Sequence, residues 1–370
     1  MTDFMDAWKI SEKDFPHDGT AAEKLAFCVR YAVLSPSTYN TQPWFFAIRN
    51  DTLDLYADRR YGLPVTDPDD RGLEISCGAA LYNLRLALRY FGYEENTVLR
   101  PDAADDDLMA RVALVGPRKQ DMRPDEKSMF SVLTRRHMNW GAFVDKAVPD
   151  PLRRTLESAV ANHESVWLHV CTPEERTEIL HILAEGDHIQ SGDKHFRREL
   201  AAWITPRRAG GGDGIPTESA RYSKVMSSLS PHILRRFEGH PNCAANDDQL
   251  ESGAPLVLVL GSRKGGVMAR IQVGETLMKL LLTAETQGLA ASPLNQPCEV
   301  PELRLRLHDV LHQQGRAQYI LRIGYGGKPV YTPRRPLEAV MRIEGKARRP
   351  ELAVPAAGVL GRVRRLFSPN

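Results

Sequence analysis

"GAALYNLRLALRYFG" (Gly78–Gly92) and "GETLMKLLLTAETQG" (Gly274–Gly288) read as two versions of one segment. Each opens and closes on glycine fourteen residues apart, and leucines coincide at the third and sixth steps, Leu81 with Leu277 and Leu84 with Leu280. Apolar residues fill nearly every face between the glycines, the pattern of a buried central helix rather than a surface one. The closing glycines suit a helix end that needs a left-handed residue.

The flanks repeat as well. A strand-like run precedes each helix, Leu53–Asp58 in one case and Pro255–Gly261 in the other, and another follows it, Ala110–Gly116 and Tyr319–Gly326. Further upstream a helix followed by a strand occurs twice, Ala21–Leu34 then Trp44–Arg49, and Pro151–His163 then Val166–Cys171. Two degenerate copies of one α/β unit account for this order. Between Thr172 and Gly253 the second copy carries an excursion that the first lacks: a helical stretch Glu174–Trp203, a glycine-rich flexible segment Ala209–Pro216, then a second helical stretch Glu218–Glu238. Such an insertion suits a cover over a site.

Composition narrows the function classes. The chain has 370 residues, 26% charged and 42% hydrophobic, enough for a large core or two domains. Its longest apolar run falls far short of the ~20 residues of a membrane span, and no secretory signal is visible at the start. Five cysteines without a C-x-x-C motif fit a reducing, cytoplasmic setting. A net charge of +2 argues against nucleic-acid binding, although Tyr331–Asn370 alone carries nine Lys or Arg against three Glu.

Three strings could carry chemistry. "LSPSTYNTQPWFF" (Leu34–Phe46) displays Ser37, Asn40 and Gln42 on a turn before a strand, groups that suit a flat hydrogen-bonding ring. "TRRHMNW" (Thr134–Trp140) gathers Arg135, Arg136, His137 and Asn139, a donor set suited to a phosphate monoester. "YTPRRPLEAV" (Tyr331–Val340) again pairs arginines, Arg334 and Arg335, after a strand. His181, His188 and His195 recur at seven-residue steps, ~10.5 Å apart on a helix, too far to share one ion. His308 and His312 lack both the glutamate of H-E-x-x-H and a third ligand, and "AGGGDG" lacks the ending of a P-loop. No metal site is expected.

Together with "ISCGAALYNLRLAL" and "GLAASPLNQPCE", these strings resemble the flavin-dependent nitroreductases, specifically the double-length, Acg-type group in which one chain resembles a fused dimer. The resemblance spans about residues 20–345. It implies an α/β (α+β) nitroreductase-like fold, two copies each with a central mixed sheet packed by helices, forming a pseudo-dimer within one chain. The expected divisions are an N-terminal extension 1–20, a first half 21–130, a second half 131–345 with a helical lid-like insertion 173–253, and a basic tail 346–370.

It also implies FMN between the halves, with Pro36, Ser37, Asn40 and Gln42 along the ring. Arg135, Arg136, His137 and Asn139 would hold phosphate and ribityl, and Arg334 or Arg335 would complete the phosphate clamp. Residues at "SPLN" would present backbone amides to flavin N5. Pro293 has no amide hydrogen, leaving Leu294, Asn295 and Gln296 as donors. No side-chain catalyst is required, since NADPH or NADH would pass hydride through the flavin to a small electron-poor acceptor of nitroaromatic or quinone type. The alternative is a non-catalytic flavin-binding or storage protein closed by its insertion. His137 and Asn139 replace residues that family members commonly have there, which makes phosphate binding weaker or pH-dependent. Each half keeps only part of the kit, so one site is expected, in a monomer or weak homodimer.

Overall fold

In a computed structural model, residues 5–139, 143–161, 164–204, 211–215, 255–326 and 331–344 are described. The second helical stretch of the insertion, Glu218–Glu238, and the basic tail lie outside them. Two long helices form the centre, α2 (Arg71–Tyr90) and its counterpart α7 (Val267–Thr286). Both begin seven residues before the glycines of the repeat, so Gly78 and Gly274 are mid-helix positions rather than starts.

The reason is contact between the helices. A Cβ on Gly78 would lie 2.1 Å from the carbonyl oxygen of Ile271, and one on Gly274 would lie 2.0 Å from that of Ile75. Both contacts obey one offset, since 78 + 196 = 274 and 75 + 196 = 271. The repeated glycines therefore let two backbones cross in van der Waals contact. Glu74 and Arg270 also pair across this crossing, and they too are 196 apart. The closing glycines behave as expected, with φ of +84° at Gly92 and +69° at Gly288.

The first half supplies α1 (Ala21–Ala32), β1 (Trp44–Arg49), β2 (Thr52–Ala57), β3 (Tyr93–Leu99) and β4 (Leu108–Pro117) around α2, then α3 (Pro124–Val132). The second supplies α4 (Asp150–Ser158), β5 (Val166–Val170), β6 (Leu256–Ser262), β7 (Ala290–Pro293) and β8 (Arg316–Gly324) around α7. Strand order is β3-β4-β2-β1 in one sheet and β7-β8-β6-β5 in the other, the same arrangement twice. Every one of these pairings is antiparallel.

The first sheet has a fifth strand, β9 (Met341–Ile343), which comes from beyond β8 and runs parallel to β1. Only this sheet is mixed among the described residues; the expected mixed sheet in each half holds for one. A short helix, α10 (Leu337–Val340), leads into β9. The halves thus exchange chain as well as sharing a core, in which Ile271, Met278 and Leu282 of α7 join the first half's cluster.

The insertion folds as α5 (Pro173–Gly192) and α6 (Lys194–Trp203), broken at Asp193, whose carboxylate caps α6. Between β7 and β8 the second half also carries α8 (Gln296–Glu299) and α9 (Pro301–Leu311), where the first has only a turn. No described helix is long and apolar enough to cross a membrane. The four described cysteines, Cys28, Cys77, Cys171 and Cys298, are all free thiols.

Candidate active site

The loop after α1 is held in an unfavourable backbone conformation. Tyr39, Asn40 and Gln42 have φ of 52°, 56° and 52°. Each non-glycine residue in that left-handed region costs on the order of 1 kcal/mol. The surroundings hold it there: the Ser37 hydroxyl accepts from the Gln42 amide at 2.9 Å, and the Asn40 and Gln42 side chains bond outward to other segments. The other non-glycine residues with positive φ among those described, Asn50, Asp70, Arg100 and His312, stand singly.

This loop forms one wall of a cavity of about 230 Å³. Pro36, Ser37 and Asn40 line it, with Arg136 and His137 from the segment after α3, Pro293, Asn295 and Gln296 from the end of β7 and start of α8, and Arg334 from the segment before α10. Three strings separated by about a hundred residues or more thus meet at one site.

The arginines divide their work. Arg334 is 3% exposed and donates to the carbonyls of Val33, Leu34 and Ser35 at 2.7, 3.0 and 3.3 Å, and to Asn40 Oδ1 at 3.1 Å. It fastens the end of α1. Arg136 is 2% exposed and donates once, from Nη2 to the Leu34 carbonyl at 2.9 Å. Its buried Nε and Nη1 have no partner among the described residues, and neither does the buried Nε2 of His137. Arg136 forms no ion pair among the described residues, and burial lowers its pKa to about 10. Burial also lowers that of His137, with Arg136 adding to the effect against the hydrogen bond with the Arg135 backbone. A buried guanidinium with free N–H groups on a cavity wall is costly without an anion.

Other expected residues stand elsewhere. Arg135 is exposed and does not line the cavity. Arg335 lies outside it too: its backbone amide donates to Gln42 Oε1 at 2.9 Å, its side chain donates to the Gln42 carbonyl at 3.1 Å and it covers the Tyr61 ring at 3.7 Å. It braces the loop instead of facing a ligand. Gln42 is fully buried and donates to the Gly212 carbonyl at 2.7 Å. The Asn40 amide donates to the carbonyls of Gly214 and Pro333, at 3.2 and 3.0 Å. Both amides therefore bind the insertion to the loop rather than pointing at a ring.

Asn139 is buried, and its amide donates to the Ala291 carbonyl at 2.7 Å, laying its segment beside β7. Leu294 is excluded as an amide donor because its N–H is spent on the Ile320 carbonyl at 2.9 Å and its side chain is in the core. The amides of Asn295 and Gln296 make no backbone bond among the described residues.

Several lining residues were not legible in the strings. Trp8, from the N-terminal extension, donates from Nε1 to the Thr332 carbonyl at 2.8 Å and lies 4.7 Å below the Arg334 guanidinium. Phe196 and Leu200 of α6 pack with Ile215 over Tyr39, covering the cavity. Asp187 and Gln190 of α5, with Glu299 and Tyr319, make an acidic wall. Gln190 donates to Glu299 at 2.8 Å. Asp187 is pushed up to about 7 mainly by burial, against a hydrogen bond with Gln296. Glu199 of α6 secures the cover, accepting from the amides of Val65 and Thr66 at 3.0 and 2.8 Å and from the Thr66 hydroxyl at 2.7 Å.

A repeated α/β half built around crossing central helices, with an anion-ready cavity between the copies, is the class the fold and site define. The chain is 30% identical over 329 residues to a Mycobacterium tuberculosis protein named "Putative NAD(P)H nitroreductase Rv3131", covering 86% of this chain and 91% of that one. It is 24% identical over 340 residues to "Putative NAD(P)H nitroreductase acg" of the same organism, covering 90% of this chain and 100% of that one. The chain belongs to the nitroreductase superfamily.

Among solved structures, an FMN- and NADPH-dependent nitroreductase, NfnB from sphigopyxis sp. strain HMH, is 20% identical with a TM-score of 0.36, covering 59% of this chain and 99% of that one. The FMN-dependent NfnB of Mycobacterium smegmatis in complex with NADPH is 17% identical with a TM-score of 0.35, covering 58% and 97%. No protein-family model matches the chain.

Proposed function

We propose that the chain is an FMN-dependent oxidoreductase with a single flavin site in the cavity between its halves, taking hydride from NADPH or NADH and passing it to a small electron-poor acceptor of nitroaromatic or quinone type. The observation that carries the reading is the Arg136 guanidinium, buried on the cavity wall with two nitrogens unpaired and no ion pair among the described residues, Glu285 acting on it only through its charge. That donor set fits a phosphate, and the unspent amides of Asn295 and Gln296 fit an acceptor atom on a ring edge. The names of the M. tuberculosis relatives support a nicotinamide reductant.

FMN, when bound, would supply the hydride chemistry; the chain supplies place and charge. Arg136 and His137 would hold the phosphate, while Arg334 and Arg335 set the loop on which Ser37 and Asn40 stand. Asn295 and Gln296 would offer N–H groups to the ring. Asp187, beside Gln296, is a cavity carboxyl able to hold a proton near neutrality. Division into halves near residue 131, with the insertion starting at 173, follows from the same reading.

The insertion gives the storage reading its support: Phe196, Leu200, Ile215 and the Glu199 bonds hold it over the cavity. One measurement separates the two. Protein reconstituted with FMN is mixed anaerobically with NADPH, then NADH, and followed by visible absorbance. One flavin per chain that bleaches within seconds and recovers with a quinone supports the reductase. Bound flavin that stays yellow supports storage, and failure to retain FMN refutes both.

A further inference from the structure

On the far side of the second sheet, where the chain leaves β5 to begin the insertion, three side chains of different chemistry converge. His169 is on β5 and Cys171 follows its last residue, two positions on and therefore on the same side of the strand. Glu175 is in the first turn of α5, turned back by a capping box with Thr172. One ligand atom from each, an imidazole nitrogen, Sγ and a carboxylate oxygen, lies within 4.8 Å of the other two. All three residues are half-buried, so an ion can reach them.

From these positions we propose that His169, Cys171 and Glu175 form a Zn(II) site, with water as the fourth ligand. A tetrahedral ion with bonds of ~2.0–2.3 Å needs its ligands roughly 3.3–3.8 Å apart. Reaching that spacing takes small rotamer adjustments, including a parting of His169 Nε2 and Glu175 Oε2 from 2.7 Å. Thiolate, carboxylate and neutral imidazole bring two negative charges to a divalent, borderline-soft cation, the match that favours zinc over magnesium or calcium.

The surroundings fit. Gln313, just past α9, meets His169 Nδ1 at 3.3 Å through its side-chain amide. When zinc takes Nε2, the imidazole proton moves to Nδ1, and the Gln313 amide turns its oxygen to accept it. The Cys171 amide is fixed to the Val257 carbonyl at 2.9 Å, which holds the thiol in place. Binding would replace the S–H bond with Zn–S and release one proton to solvent. The site is independent of the flavin reading. Its effect would be to pin the first turn of α5, the helix that carries Asp187 and Gln190 to the cavity.

The test uses the full chain, stripped with chelator and titrated with Zn(II) alone by calorimetry in two buffers, then with Co(II) by absorbance. One equivalent of zinc with about one proton released per ion, and a thiolate-to-cobalt charge-transfer band, are expected. Cys171→Ser should weaken zinc at least 100-fold and abolish the band while leaving the thermal midpoint of the metal-free protein unchanged. Gln313→Ala should weaken zinc roughly ten-fold or more. Absence of zinc binding, or a cobalt band that survives in Cys171→Ser, would overturn the assignment.

Discussion

The end of α1 and the end of α4 occupy matching places in the two halves, and they are finished differently. In each, a residue of the central helix reaches the helix end at equivalent positions, since 83 + 196 = 279. Asn83 donates to the Tyr31 carbonyl at 3.3 Å, and Lys279 donates to the Ala159 carbonyl at 2.7 Å. After α4 the chain turns with Val160 buried in the core. After α1 it enters the strained loop, and two guanidiniums, Arg136 and Arg334, are drawn in from the second half to the carbonyls that follow, both of them donating to Leu34. A helix end attracts cations in both halves. Only in the first does it gather donors that its carbonyls leave unused, Nε and Nη1 of Arg136, and on the function proposed above that surplus is what would turn a capping site into a ligand site.

The largest effects should fall on what the halves share. Gly78→Ala and Gly274→Ala each drive a methyl into the partner helix's backbone, so each should cost roughly 2–4 kcal/mol. Equal losses in chemical denaturation would confirm the symmetry of the crossing; a tolerated change at either would break it. Gly192→Ala, with open space around it, is the near-neutral control.

Next come the differences. Arg136→Met should leave the flavin-free protein as stable or more stable, since it removes a buried charge that forms no ion pair among the described residues. FMN binding measured by fluorescence should weaken at least 100-fold, and Lys279→Met on the other side should leave it alone. Glu199→Ala should raise the FMN dissociation rate about ten-fold with little change in the thermal midpoint. The smallest effect is tied to pH. The folded-state pKa of Asp187 is raised to about 7 from an ordinary 3.8, so the native protein binds the proton more tightly than the unfolded chain. Stability is therefore lost as pH rises through that window. Asp187→Asn should exceed wild type by on the order of 1–2 kcal/mol at pH 8, and the gap should shrink toward pH 4 in thermal scans.

Much of this was legible from spacing. The repeat marked the two central helices and most of the strands that flank them, though not β3 or β7 or the order of strands within a sheet, because buried helices and strands keep their periodicity even when identities drift. Arg136 and Arg334 were marked by their donor chemistry. What stayed hidden were partners distant in the chain. Nothing near Asn40 or Gln42 indicates that their amides are taken by carbonyls some 170 residues away. Trp8 stands alone in a polar stretch without a pattern to flag it. The mid-helix glycines looked like punctuation because a helix crossing leaves no local trace. Tyr319 opens a strand-like run and Glu299 closes a quoted string, and only the fold turns them toward the cavity.

The Glu74–Arg270 pair has a meaning beyond its own energy. It sits where a position meets its own pseudo-symmetry copy, and a true homodimer can place only identical residues there. Two copies of the first half would set carboxylate against carboxylate at this point, and two copies of the second would set guanidinium against guanidinium. By taking opposite charges the halves have given up self-recognition, so each has become the other's obligate mate. If the gene were cut at the linker, both pieces would have to be made together, and neither would serve as its own partner.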